Sequence, residues 1–282
     1  MKPTVIGSAS RGGEVQLKET AKAQEAGHSI TVTALGVPRS RCHNPKVCDN
    51  ELGQLGRSGN PSAPLPIKLL DDNSSDGSAA VASHAYVGGF TSSGHSALLD
   101  TKGNLWLSGC DRWQQLGLGS SNGGSSGYTW KGGKLWQDQF QKNEHVVELL
   151  QRLDPSLGNN NKSQSSNTMD LSRRWIRDVS LGGDHTIILS SNKRDVITCG
   201  KGGEGQLGLS SKPWVSAPAK SKLLSSSKAD ISSVCAFRNC SMTLDADGEV
   251  LGRAGKCSLE LKGVKRALET CRKHARETGL SS

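Results

Sequence analysis

The sequence predicts an all-β protein, a propeller of four-stranded blades, on three observations. A hairpin recurs along the chain, a Gln-Leu-Gly core recurs behind it, and the composition suits short strands joined by many turns. The chain has 282 residues, of which 34 are glycine and only 34% are hydrophobic. That is lean for a helical enzyme and ordinary for turn-rich sheets.

The hairpin is the primary element. Gly94-His95-Ser96-Ala97-Leu98-Leu99-Asp100 aligns with Asp184-His185-Thr186-Ile187-Ile188-Leu189-Ser190. Each reads as a small polar start and a short apolar strand. A turn follows, Thr101 to Asn104 in one copy and Ser191 to Asp195 in the other. Second strands come next, Leu105 to Gly109 and Val196 to Gly200. After a polar link the chain reads Gln115-Leu116-Gly117 and Gln206-Leu207-Gly208, and the same core stands early at Gln54-Leu55-Gly56. A weaker hairpin runs from Cys240 to Leu244 through Asp245-Ala246-Asp247-Gly248 to Glu249-Val250-Leu251-Gly252, with Cys240 in the place of His95 and His185. Its Asp-Gly pair suits a tight hairpin turn. Small sheets of this kind bury their faces only by stacking radially, which is the propeller solution.

The remaining segments break the pattern. Residues 120–172 start Ser/Gly-rich, pass Tyr128, Trp130, Trp136 and Phe140, and then place Val146, Leu149, Leu150 and Leu153 on one face of a short helix. Residues 157–169 are Asn/Ser-rich and read as disordered. The insertion is a tolerated surface segment or a binding element; as a binding element, its aromatics, Trp130 and Trp136 among them, are the anchors. Residues 258–282 predict a basic amphipathic helix and tail. Leu261, Val264, Leu268, Cys271 and Ala275 form its apolar stripe, and Lys262, Lys265, Arg266, Arg272 and Lys273 crowd the other positions. That helix packs on the ring with a solvated basic face, or it meets RNA, DNA or an acidic protein. The organisation expected is a flexible N-terminal extension over 1–29, propeller repeats over 30–257 interrupted by 120–172, and the basic helix.

Charge and cysteines bound the function classes. The net charge of +9 favours chromatin, ribosomal RNA–protein or anionic lipid as partner, or reflects only a lysine-rich surface. The eight cysteines include no Cys-x-x-Cys pair and are expected to be reduced thiols of an intracellular protein. Cys42, His43 and Cys48 have no second ligand pair to complete a zinc site. No run approaches the ~20 apolar residues of a membrane span. No Walker loop, nucleophile elbow or His-Glu-x-x-His stands in the chain, and the glycines of 200–205 fall in a repeat linker rather than at a phosphate-binding turn. No metal and no cofactor is expected. His95 and His185, recurring at one repeat position, are expected to satisfy backbone groups inside blades.

Gly-x-x-His-Thr, an apolar strand, a turn, a strand ending in Gly and then Gly-Gln-Leu-Gly resembles the regulator of chromosome condensation repeat. The match is fullest over 176–209, good over 85–119 and degenerate over 231–257. Residues 30–56, from Ile30-Thr31-Val32-Thr33 to Gly56, look like the N-terminal strand that closes such rings. Family members form seven blades, whereas this sequence holds material for three to four, which reads as a partial propeller: a fragment, a short ring, or a set of blades whose open edges a partner covers. The resemblance implies a non-catalytic scaffold for protein partners. Its alternatives are a guanine-nucleotide exchange factor for a Ran-like small GTPase, acting without covalent chemistry through Asp184 and His185, and an organelle- or ribosome-associated propeller binding RNA–protein complexes. The photoreceptor branch is set aside because Gly182-Gly183-Asp184-His185-Thr186 lacks its Trp and Arg. The ubiquitin-ligase branch is set aside because no room remains for a catalytic domain. The expected partner-contact residues are Asp184, His185, His95, Trp130 and Trp136, with the basic helix as a second contact. The expected compartment is the nucleus or cytoplasm, an organelle being the alternative.

Overall fold

The computed structural model describes residues 18–23, 27–33, 35–44, 50–70, 79–90, 93–119, 136–155, 175–210, 213–226, 228–255 and 269. They form four antiparallel sheets laid down in chain order. The first comprises β1 (Lys18–Ala23), β2 (His28–Val32), β3 (Pro38–Cys42) and β4 (Leu65–Pro66), in that order across the sheet. The second comprises β5 (Ala82–Gly88), β6 (His95–Asp100), β7 (Leu105–Cys110) and β8 (Trp136–Lys142), followed by helix α1 (Glu144–Leu153). The third runs β9 (Ile176–Leu181), β10 (His185–Ser190), β11 (Val196–Lys201) and β12 (Trp214–Lys220). The fourth has three described strands, β13 (Ser233–Phe237), β14 (Cys240–Leu244) and β15 (Val250–Gly255).

Each sheet is a meander because each turn carries its own closing chemistry. Asp100 shows it at the β6–β7 turn. Its Oδ1 accepts the N–H groups of Lys102 and Asn104 at 2.9 and 2.8 Å, and its Oδ2 accepts the Trp106 indole N–H at 3.0 Å. Asp245 repeats the device at the β14–β15 turn, accepting from Asp247 and Glu249. A short carboxylate that holds nearby backbone N–H groups fixes a tight turn and leaves none of them unpaired.

Side-chain alternation then gives every blade two faces. On β6, Ala97 and Leu99 turn toward the third blade, where they share a core with Val179, Leu181, Ile188 and Ile197. Leu98 turns back toward the first blade and meets Ile30, Val32 and Ile67, with Trp106 beside it. On β10, Ile187 and Leu189 turn forward to Leu224, Ile231, Val234 and Ala254. The stack is one-directional: the forward face of each of the first three blades is covered by the back face of the next.

Several expectations need correction. The first sheet is a complete four-stranded blade beginning at Lys18, not a flexible extension followed by one closing strand. The segment read as an insertion supplies β8, which pairs with β7 and finishes the second blade; its alternation was too weak to read as a strand. The helix expected over Val146–Leu153 is α1, capped by Asn143, whose Oδ1 accepts the Val146 N–H at 3.1 Å. Cys110, Cys199 and Cys235 are free and buried, but Cys42 and Cys240 are disulfide-bonded, against the expectation of reduced thiols. Residues 156–174 and the basic residues Lys262 to Lys273 lie outside the described residues. Among the described residues no helix is long and apolar enough to cross a membrane.

Candidate functional site

The repeat histidines sit at the joints between blades. His28 Nε2 is 2.7 Å from Ser96 Oγ, His95 Nε2 is 3.4 Å from Thr186 Oγ1, and His185 Nε2 is 2.8 Å from Ser241 Oγ. In each case the hydroxyl belongs to the following blade, one residue beyond the position that matches the histidine. Ser96 and Thr186 also donate to the carbonyls of Gln54 and Gln115, at 2.8 and 2.7 Å. A hydroxyl has one proton, so His28 is the donor in its contact, with the ring proton on Nε2. The joint therefore ties three pieces: a histidine, the next blade's hydroxyl, and the carbonyl of the preceding blade's Gln-Leu-Gly turn.

Complete burial sets the charge of these rings. Desolvation lowers His95 to about 4, partly opposed by backbone hydrogen bonds to Ser93 and His185. Desolvation, with His95 as a like-charged neighbour, lowers His185 to about 3. Both are neutral at pH 7, and neither reaches solvent. Both rings are enclosed in the joints between blades. His95 meets a backbone group as expected, its Nδ1 lying 3.4 Å from the Ser93 carbonyl, whereas His185 contacts the Ser241 hydroxyl.

Just outside the joints, the loops between first and second strands form one rim. The Gly89 N–H donates to Gly182 O at 2.8 Å, the Gly183 N–H donates to Arg238 O at 2.8 Å, and Ser93 Oγ donates to Gly183 O at 3.0 Å. Loops of the second, third and fourth blades are thus bonded edge to edge. The Phe90 ring lies so close to Gly183 that a β-carbon there would sit 2.2 Å from Cε2. Gly200, at φ +104°, lets β11 pass the Asp184 carbonyl; a β-carbon there would be 2.6 Å from that oxygen.

This rim carries a compact set of polar and aromatic side chains. Lys201 Nζ lies 3.7 Å from Asp184 Oδ2 and 4.9 Å from the centre of the Trp113 ring. The Arg238 guanidinium is 5.5 Å from the Phe237 ring. Asp184 is 7% exposed, Phe90, Trp113, Lys201 and Phe237 are half-buried, and Arg112 and Arg238 are exposed. Cys110, beneath them, is an unreactive thiol: burial raises it, and Arg112 only partly opposes that. The arrangement offers held charges and flat apolar faces, which recognise a protein surface.

Of the residues expected to meet a partner, Asp184 alone stands on this rim with access to solvent. Trp136 pairs with Cys110 at the end of β8, Phe140 is buried in the core between the first two blades, and Trp130 lies outside the described residues. Phe90, Trp113, Lys201 and Arg238 were missed. Phe90, Trp113 and Arg238 occupy loops and Lys201 a strand end where the copies differ most, so self-similarity gave them no weight.

These features define a class: an open stack of propeller blades with one ordered loop rim. The family described as Regulator of chromosome condensation (RCC1) repeat matches residues 176–206, which contain β9, β10 and β11. The chain is 27% identical over 201 residues to human Protein RCC2, covering 71% of this chain and 34% of that protein. Protein RCC2 homolog of Xenopus laevis matches to the same extent. The chain thus spans about a third of the length of the curated relatives it matches. Among solved structures, yeast RCC1 (Prp20), determined bound to Kap60, aligns with TM-score 0.50 and 16% identity over 87% of this chain and 44% of its own. Human WBSCR16 aligns with TM-score 0.50 and 15% identity over 84% of this chain and 48% of its own. Residues 176–206 thus match the regulator of chromosome condensation repeat, and the described residues share the propeller fold of its solved members.

Proposed function

We propose that this protein is a non-catalytic propeller scaffold that binds a protein partner through the rim around Asp184. The observation that carries the reading is the Asp184–Lys201–Trp113 cluster on loops already bonded to one another. A surface held in place before binding loses little conformational entropy when it docks. Buried neutral histidines and a raised Cys110 thiol leave the rim better suited to recognition than to proton transfer or nucleophilic attack.

The finer identity of the partner follows the relatives. The yeast relative Prp20p has been characterised for binding to Gsp1p and histones, which supports a small GTPase or chromatin as the partner and nucleus or cytoplasm as the compartment. The test is capture of partners on immobilised protein, comparing the native chain with the Trp113→Ala/Arg238→Ala variant. The expected outcome is one partner set that the variant loses while its fold, read by circular dichroism, is unchanged. Identical partner sets on both proteins overturn the assignment of the rim. If a GTPase is captured, the chain is then added to that GTPase loaded with a fluorescent nucleotide. Accelerated release supports exchange, and unchanged release leaves binding alone.

A further inference from the structure

The β2–β3, β6–β7 and β10–β11 turns and the links between blades form a second surface, at the opposite end of the strands from the rim. Backbone bonds knit it together. The Ala82 N–H donates to Gly36 O at 2.9 Å, the Thr101 N–H to Val81 O at 2.8 Å, and the Ile231 N–H to Lys193 O at 2.9 Å. Among the described residues, five of the six exposed large apolar side chains stand here: Leu35, Val37, Leu70, Val81 and Leu223. The sixth, Leu65, lies on the outer edge strand β4. Leu35 is 78% exposed in a closed turn, where the Gly36 N–H donates to Thr33 O at 2.9 Å and the Thr33 N–H to Val37 O at 3.1 Å. Val81 lies against that turn, since a β-carbon on Gly36 would sit 2.2 Å from its Cγ1. Single exposed leucines are ordinary, but their concentration at one end of the blades marks an interaction surface.

Lysines interleave with these side chains. Burial alternates along Ile67-Lys68-Leu69-Leu70, so Lys68 and Leu70 face the same way. Lys102 follows Thr101 beside Val81, Lys222 precedes Leu223, and Lys193 and Lys228 stand on the β10–β11 turn and the link bonded to it. The nearby acids are committed within the fold. Asp100 holds its own turn, Asp195 pairs with Lys220, and Asp230 pairs with Arg194 at 3.1 Å. Exposed Asp247 and Glu249, on the β14–β15 turn, bound the surface at the fourth blade.

We propose that this end of the blades seats on an anionic lipid surface, its leucine-bearing turns entering the headgroup layer and its lysines meeting the acidic groups there. Leu35 and Leu223 project from turns rather than lining a groove, which suits a soft interface that closes around them. The flanking cations are lysines, whose apolar stems lie along such an interface while the ammonium stays at headgroup level. The core of a protein interface is depleted in lysine, and a nucleic-acid backbone would take the charge and leave the leucines in water. The seat shares no residue with the rim. A chain held this way still presents Asp184, Trp113 and Arg238 to a protein partner.

The experiment sediments the full chain with vesicles of phosphatidylcholine, alone or with about one third phosphatidylserine, in about 0.1 M salt. Binding is expected only to the acidic vesicles, and about 0.5 M salt should release most of it. Lys102→Glu/Lys222→Glu/Lys228→Glu should weaken binding by at least about tenfold, and Leu35→Ser/Leu70→Ser by about three- to tenfold, with circular dichroism unchanged. Should charge reversal disturb the fold, the same three lysines changed to glutamine give a smaller loss in the same direction. The Trp113→Ala/Arg238→Ala variant should bind vesicles like the native chain, which separates this surface from the rim. A native chain that ignores the acidic vesicles overturns the proposal, and so does a loss confined to the rim variant. Full retention by the leucine variant overturns it too; if duplex DNA of about 20 base pairs then displaces the vesicles, the occupant is nucleic acid instead.

Discussion

At the scale of single residues, the joints make stability depend on pH in a definable direction. In the unfolded chain a histidine takes up a proton near pH 6.5, whereas folded His95 and His185 do so only near 4 and 3. Between those limits the unfolded state binds more protons, so stability falls as the pH is lowered from about 6.5, approaching about 1 kcal/mol per pH unit for each histidine. Asp111 acts oppositely. Burial raises it to about 7, against the bond it accepts from the Leu116 N–H, so its contribution is lost as pH rises from about 4 toward 7. Two histidines outweigh one aspartate, and urea midpoints should decline steadily from pH 6 to pH 4. Asp111→Asn should steepen that decline and raise stability at pH 8. The first blade already makes this exchange: Asn50 Oδ1 accepts the Leu55 N–H at 2.8 Å in the corresponding place. An unchanged or lowered midpoint for Asp111→Asn at pH 8 would show that burial does not penalise the ionised carboxylate.

At the scale of elements, two positions carry more than their size suggests. Gly200 adopts φ +104° against the Asp184 carbonyl, so Gly200→Ala should cost roughly 2–4 kcal/mol in chemical denaturation and displace the rim. Asn143 caps α1 and also donates to Leu116 O and Gly117 O, at 2.7 and 3.2 Å, binding the helix to the Gln-Leu-Gly turn. Asn143→Ala should cost roughly 1–3 kcal/mol, and Asn143→Asp should recover only the cap. A full recovery by aspartate would remove the turn contact from the account. The sequence made part of this legible. Hairpins β6–β7 and β10–β11 were readable because alternation and turn chemistry coincide in both copies. Strand β8 was not, because its exposed positions carry Asp138 and Gln139 while Phe140 alone is buried, and a single apolar residue defines no period. Asp184 was legible as part of a repeat. Lys201 reaches it from the end of β11 in the same blade, and Trp113 from the linker of the second blade, a juxtaposition that only stacking creates.

At the scale of the molecule, the rim and the joints divide the labour. Buried contacts hold blade to blade, which frees the loop side chains from structural duty. Changing Trp113 or Arg238 to alanine should therefore alter partner capture while shifting Tm by no more than about 2 °C; a larger shift would make them structural. Histidine on one face and hydroxyl on the other also make each of the first three blades unlike its mirror. Two chains meeting about a twofold axis would set like face against like face, and no histidine could find a hydroxyl. Only head-to-tail succession satisfies the joint, so the direction of growth is written into the blade itself, as in a filament whose subunits add with a single sense.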